Sequence, residues 1–103
     1  MASRTKQSVY QFGNVTIDPG SRELRVNEEV QDVRTQEFEL LLVFADHKGI
    51  VLTREQLLEK AWGYDFYGQT RTVDVHVAHL RKKLADSDVS IDTVTGVGYK
   101  LVV

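Results

Sequence analysis

Residues 70–84, TRTVDVHVAHLRKKL, constrain the fold more tightly than any other stretch. Val73, Val77, Leu80 and Leu84 recur at i, i+4, i+7 and i+11. That spacing makes one narrow apolar stripe on an α-helix but splits between two faces on a strand. At about 100° per residue, Arg71, Val75, Ala78 and Lys82 gather on the opposite side. His79 and Thr72 flank that side on one edge, Asp74 and Arg81 on the other. A helix divided in this way needs a core behind it and turns small, polar and basic groups outward.

The rest of the chain supplies that core. Of its 103 residues 42% are hydrophobic, enough for one small domain without a metal or a disulfide. Cysteine is absent, which excludes disulfides, thiolate chemistry and a Cys-based zinc site and fits a reducing cytosol. Residues 1–9 are polar, carry no apolar signal segment, and read as a flexible lead-in to a domain over 10–103. No run approaches the roughly 20 apolar residues of a membrane helix.

Four short strands are expected at Tyr10–Phe12, Val15–Ile17, Glu23–Val26 and Val30–Val33, separated by Gly13-Asn14, Asp18-Pro19-Gly20-Ser21 and Asn27-Glu28. A first helix follows over about 36–47, with Thr35 as N-cap and Phe38, Leu41, Leu42 and Ala45 as its buried stripe. Ile50 to Leu52 reads as a short extended piece. Thr53-Arg54-Glu55-Gln56 fits a capping box and opens a second helix whose apolar face is Leu57, Leu58, Ala61 and Trp62. After the helix of residues 70–84, Ile91–Thr95 and Tyr99–Val102 flank Gly96-Val97-Gly98 as a hairpin. The fold class is α+β: a four-stranded antiparallel sheet, three helices and a C-terminal hairpin.

Helix, connection, basic helix, hairpin is the element order of a winged helix-turn-helix. The formal net charge is −2, yet residues 71–83 set Arg71, Arg81, Lys82 and Lys83 against Asp74 alone. Phosphate binding follows such a local field rather than the overall charge. The motifs Arg54-Glu55-Gln56-Leu57-Leu58, Ala61-Trp62-Gly63, Arg71-Thr72-Val73-Asp74-Val75-His76-Val77, Leu80-Arg81-Lys82-Lys83-Leu84, Thr93-Val94 and Gly96-Val97-Gly98-Tyr99 stand in this order. In order and register they resemble the C-terminal effector domain of OmpR/PhoB-family response regulators, bacterial two-component transcription factors.

That resemblance implies a cytoplasmic, sequence-specific binder of double-stranded DNA that regulates transcription without a cofactor. The recognition helix corresponds to Thr70–Leu84 and lies in the major groove; the wing corresponds to Ile91–Val102 and lies near the minor groove. Positions matching the family's phosphate contacts are Trp62, Arg71, Thr72, His76 and Arg81, with Thr93 and Tyr99 from the wing. Asp74, Val75, Ala78, His79 and Lys82 match its base-reading face. Residues 63–69 match a transactivation loop that in some members touches RNA polymerase, here through Tyr64, Asp65, Phe66 and Tyr67. The family also implies an upstream receiver domain, for which 103 residues leave no room. It further implies a domain that is monomeric in isolation and sits as a tandem dimer on direct-repeat half-sites. Many members carry arginine where this chain has Ala78, His79 and Thr95, which bears on the target sequence.

Several of these residues have a second reading. His76 is either packed against the core or a phosphate contact. Asp74 either accepts from a cytosine amino group or serves the first turn of its helix. The ring of Trp62 belongs to the core, with its N–H free for a polar partner. Phe66 reads as packing, Tyr64 and Tyr67 as partner contacts. His47, His76 and His79 lack the spacing and acidic partners of a metal site. No nucleophile–base pair, paired carboxylates or cofactor loop points to an enzyme. The rival function is a protein-interaction module that kept the fold and lost DNA binding. The sequence pI near 5.9, Ala78 and Thr95 speak for it; the block Arg71–His76 speaks against it.

Overall fold

The structure, a computed structural model, describes residues 8–63 and 69–103. The lead-in expected over residues 1–9 therefore lies almost wholly outside the described residues, as does most of the loop 63–69.

The chain opens with strands β1 (Tyr10–Phe12), β2 (Val15–Asp18), β3 (Glu23–Val26) and β4 (Glu29–Gln31), paired antiparallel in that order. Alternation puts Val15 and Ile17 of β2 and Leu24 and Val26 of β3 on one buried face. Helix α1 (Thr35–Asp46), strand β5 (Leu52–Thr53), helices α2 (Arg54–Trp62) and α3 (Arg71–Lys83), and strands β6 (Ser90–Val94) and β7 (Gly98–Val102) complete the fold. The hairpin β6–β7 takes β5 as a third strand, giving the order β5-β7-β6. One continuous hydrophobic core joins both sheets and all three helices.

The capping box expected at Thr53 is present. Its Oγ1 accepts from Gln56 N–H at 3.0 Å, and Gln56 Oε1 accepts from Thr53 N–H at 2.8 Å. At α1 the cap sits one residue earlier than expected. Thr35 is already helical and Arg34 is the N-cap, because Glu37 reaches back to accept the Arg34 N–H at 3.2 Å. The buried side of α1 is also broader than the expected stripe. Leu40 and Phe44 are fully covered, while Leu42 is only half-buried. A helix packed against α2, α3 and β7 at once is covered on more than one side.

The extended piece expected at Ile50–Leu52 forms two residues at Leu52–Thr53, where it finds a partner in β7: Leu52 opposes Tyr99 and Thr53 opposes Gly98. The hairpin turn uses Gly96 at φ +79°. A second tie joins two connections far apart in the sequence. Asn14 N–H donates to Asp88 Oδ2 at 2.9 Å and Asp88 N–H donates to Asn14 Oδ1 at 2.8 Å, linking the β1–β2 turn to the connection after α3.

Candidate nucleic-acid interface

Helix α3 is held by its back. Val73, Val77 and Leu80 are no more than 1% exposed. The opposite side is open: Arg71, Val75, Ala78 and Lys82 are all exposed, Val75 by 47%. These are the four residues that helical geometry gathers on one face. No descending side chain crowds the middle of that face, because Val75 and Ala78 are short.

The two flanks are tied down. On one, Asp74 is shared by two neighbours. Tyr99 Oη of β7 donates to its Oδ1 at 2.7 Å, and Arg54 of α2 donates through Nε to Oδ1 at 3.2 Å and through Nη2 to Oδ2 at 2.6 Å. Three elements thus meet at one carboxylate. Burial pushes the Asp74 carboxyl up, but the Tyr99 hydroxyl and the Arg54 guanidinium outweigh it and hold it below its ordinary value. Burial, then the Asp74 bond, push the Tyr99 phenol up. The bond to Asp74 also raises Arg54. Arg81, about two turns of helix further and across to the wing, donates from Nε and Nη2 to the Ile91 carbonyl at 2.9 and 2.7 Å. It also donates from Nη2 to Thr93 Oγ1 at 2.8 Å. Its guanidinium carbon lies 5.5 Å from the centre of the Tyr99 ring.

On the other flank, Nδ1 of His79 lies 2.8 Å from Oε2 of the buried Glu37 on α1. His76 donates from Nδ1 to the Thr72 carbonyl at 2.9 Å and sets its ring edge-on to Trp62, centroids 4.9 Å apart. Thr95 is exposed in the wing turn beside Val97, itself 50% exposed. Tyr64, Asp65, Phe66 and Tyr67 lie outside the described residues.

The structure therefore brings Arg71, Val75, Ala78 and Lys82 onto one free surface. Asp74, Arg81, Thr93 and Tyr99 form a network that fastens the hairpin to α3. Two further members of these networks are Arg54, which the sequence places only at a helix start, and Glu37, which no motif singles out. Their partners lie 20 and 42 positions away, a separation that carries no periodic signal.

The sign of the Asp74 shift gives a prediction. A carboxyl held low in the folded state adds stability that is complete above its unfolded value and lost as pH falls through its folded one. Asp74→Asn is expected to melt less steeply with acidification than the unaltered chain across the carboxylate range, with Tm against pH as the measurement. Parallel curves would show that the network adds no pH-linked stability.

Comparison with known proteins agrees with this geometry. Residues 28–101 match the family described as "Transcriptional regulatory protein, C terminal". Over 93 residues the chain is 46% identical to the alkaline phosphatase synthesis transcriptional regulatory protein PhoP of Bacillus subtilis, covering 87% of this chain and 39% of that protein. The DNA-binding domain of Klebsiella pneumoniae RstA, solved in complex with the RstA box, superposes with a TM-score of 0.81 at 34% identity, covering 93% of this chain and 98% of that one. DrrB of Thermotoga maritima, a response regulator described as an OmpR/PhoB homolog, superposes with a TM-score of 0.85 at 33% identity over 97% of this chain and 46% of its own. The chain spans about two fifths of the length of the curated relatives it matches, between 38% and 41% for the first three. No described helix is long and apolar enough to cross a membrane. With the order of elements, the open face of α3 and the fastened hairpin, these matches lead to one conclusion: the chain belongs to the family of transcriptional regulatory protein C-terminal domains and is a winged-helix DNA-binding domain of the OmpR/PhoB type.

Proposed function

We propose that this domain, residues 10–103, seats α3 in the major groove of double-stranded DNA and lays the β6–β7 wing along the neighbouring minor groove. In this reading it is the cytoplasmic output of a response regulator whose receiver domain lies upstream. The observation that supports this best is the free face of α3: four side chains exposed together on a helix whose back and flanks are fixed. A major groove admits one such helix.

The roles follow from chemistry. Val75 and Ala78 let the helix approach and offer apolar contact to a thymine methyl; Lys82 reaches guanine acceptors or a phosphate. Arg71, Thr72, His76 and Trp62 face phosphates on one bank, and Tyr99, Thr93 and the remaining N–H groups of Arg81 face them from the wing side. Asp74 has both oxygens engaged within the domain, which favours a positioning role over cytosine reading. The protein-interaction alternative leaves the exposed Arg71, Val75 and Lys82 on one face without a role. In the full regulator, loop 63–69 is a contact for RNA polymerase.

Assembly is testable directly. The isolated domain is expected to sediment as a monomer and to occupy two direct repeats spaced about one helical turn, roughly 10–11 base pairs. Tighter binding of the second copy then comes from a small head-to-tail contact at the high local concentration DNA imposes. Titration onto one repeat, two direct repeats and an inverted pair checks this. A stable dimer without DNA, or preference for the inverted pair, contradicts it.

A further inference from the structure

Glu37 is the one charged residue buried among those described, at 3% exposure. Both of its oxygens are engaged: Oε1 accepts from the Arg34 N–H, and Oε2 meets Nδ1 of His79. A carboxylate has no proton to give, so Nδ1 of His79 is the donor. The His79 side chain is 42% exposed, and its Nε2 has no hydrogen-bond partner among the described residues. An open cavity of about 490 Å³, edged by Arg34, Lys82 and Lys83, lies beside the pair.

The bond made by one ring nitrogen of a histidine decides what the other presents. With the proton held on Nδ1 for Glu37, the neutral ring presents Nε2 as a bare lone pair. In the major groove a lone pair accepts from the N4 amino group of cytosine or the N6 amino group of adenine. It finds no donor on the groove edge of guanine or thymine. We propose that Glu37, buried in α1, is a specificity-determining positioning residue: it fixes His79 as a hydrogen-bond acceptor and biases one base pair toward cytosine or adenine at the position His79 meets. The inference rests on the reading of α3 as the groove-bound helix.

Two measurements test it. Nitrogen-resolved NMR of the unaltered chain, taken at an alkaline pH at which the same spectra show the His79 ring to be neutral, reads the tautomer of His79 without any substitution. A proton on Nδ1 with Nε2 bare is expected; a proton on Nε2 overturns the proposal. Competition binding then compares duplexes altered one base pair at a time, using the unaltered chain, Glu37→Gln, His79→Ala and the double variant. Glutamine can still accept the Arg34 N–H through its side-chain oxygen, but its amide can donate to Nδ1 and release the other tautomer. Glu37→Gln is expected to lose the preference of about tenfold or more at the base pair where His79→Ala loses it. Preferences elsewhere and the salt dependence should stay as they were. On the His79→Ala background Glu37→Gln should change no preference. An unchanged preference in Glu37→Gln, or an equal loss without His79, overturns the proposal. An unaltered chain that binds no duplex overturns the groove reading beneath it, whatever the tautomer.

Discussion

Leu80→Ala is expected to destabilise the domain by about 2–5 kcal/mol, the range for a leucine removed from a packed core. Leu80 is completely buried toward the C-terminal end of α3, between the stripe residue Val77 and the C-cap Leu84. The loss removes transfer free energy and leaves a cavity that rigid neighbours fill only in part. Because α3 is the element that carries Arg71, Val75, Ala78 and Lys82, the same change loosens the presentation of that face. Thermal and urea unfolding measure the effect. An unchanged Tm would mean that the helix is rotated and that its outward face lies elsewhere.

Gly98→Ala is expected to be the most damaging single methyl group in the wing. A β-carbon at Gly98 would lie 2.0 Å from the Leu52 carbonyl oxygen and 2.9 Å from the Thr53 α-carbon. Those are backbone atoms of β5, so no side-chain rotation relieves the contact. Either β5 parts from β7, losing the pairing of Thr53 with Gly98, or the hairpin shifts away from the body. Overpacking of this kind costs about 1–3 kcal/mol, and more where backbone must move. Tyr99 follows Gly98 and holds Asp74, so the displaced strand also weakens the tie between wing and α3. The expected result is a lower Tm together with weaker binding to every duplex, because the contacts proposed for Thr93 and Tyr99 of the wing are to phosphates, which carry little base information. Full stability and full affinity in this variant would show that the hairpin does not approach β5 as described.

Much of this architecture was legible in the residues, for physical reasons that also mark where legibility ends. Val73, Val77, Leu80 and Leu84 declare α3 because burial repeats with the helical period, and the structure buries all four. Thr53 and Gln56 declare the start of α2 because a reciprocal cap needs those side chains three positions apart. Thr35 misled because a hydroxyl beside a helix start resembles a cap, whereas Glu37 satisfied the Arg34 amide one residue earlier. Leu40 and Phe44 were missed because a helix packed on several sides outgrows a single stripe. The site divides in the same way. The outward grouping of Arg71, Val75, Ala78 and Lys82 follows from local geometry. The partnerships of Asp74 with Arg54 and Tyr99, of Arg81 with Ile91 and Thr93, and of His79 with Glu37 do not. Each joins segments that only the tertiary fold brings together, and each takes a side chain that reads from sequence as free and gives it work inside the domain.

The measurement that tests the central claim most directly is DNA affinity against salt for the unaltered domain and for Arg71→Ala. Contacts to about three to five phosphates give a slope of log affinity on log salt of roughly −3 to −4.5. Affinity should then fall about 60- to 500-fold between roughly 50 and 200 mM salt. Arg71→Ala should weaken binding to all sequences alike and make the slope shallower by about 0.9, the share of one phosphate. A slope near zero, or an Arg71→Ala slope equal to that of the unaltered domain, would contradict the assignment of the exposed face of α3 to DNA.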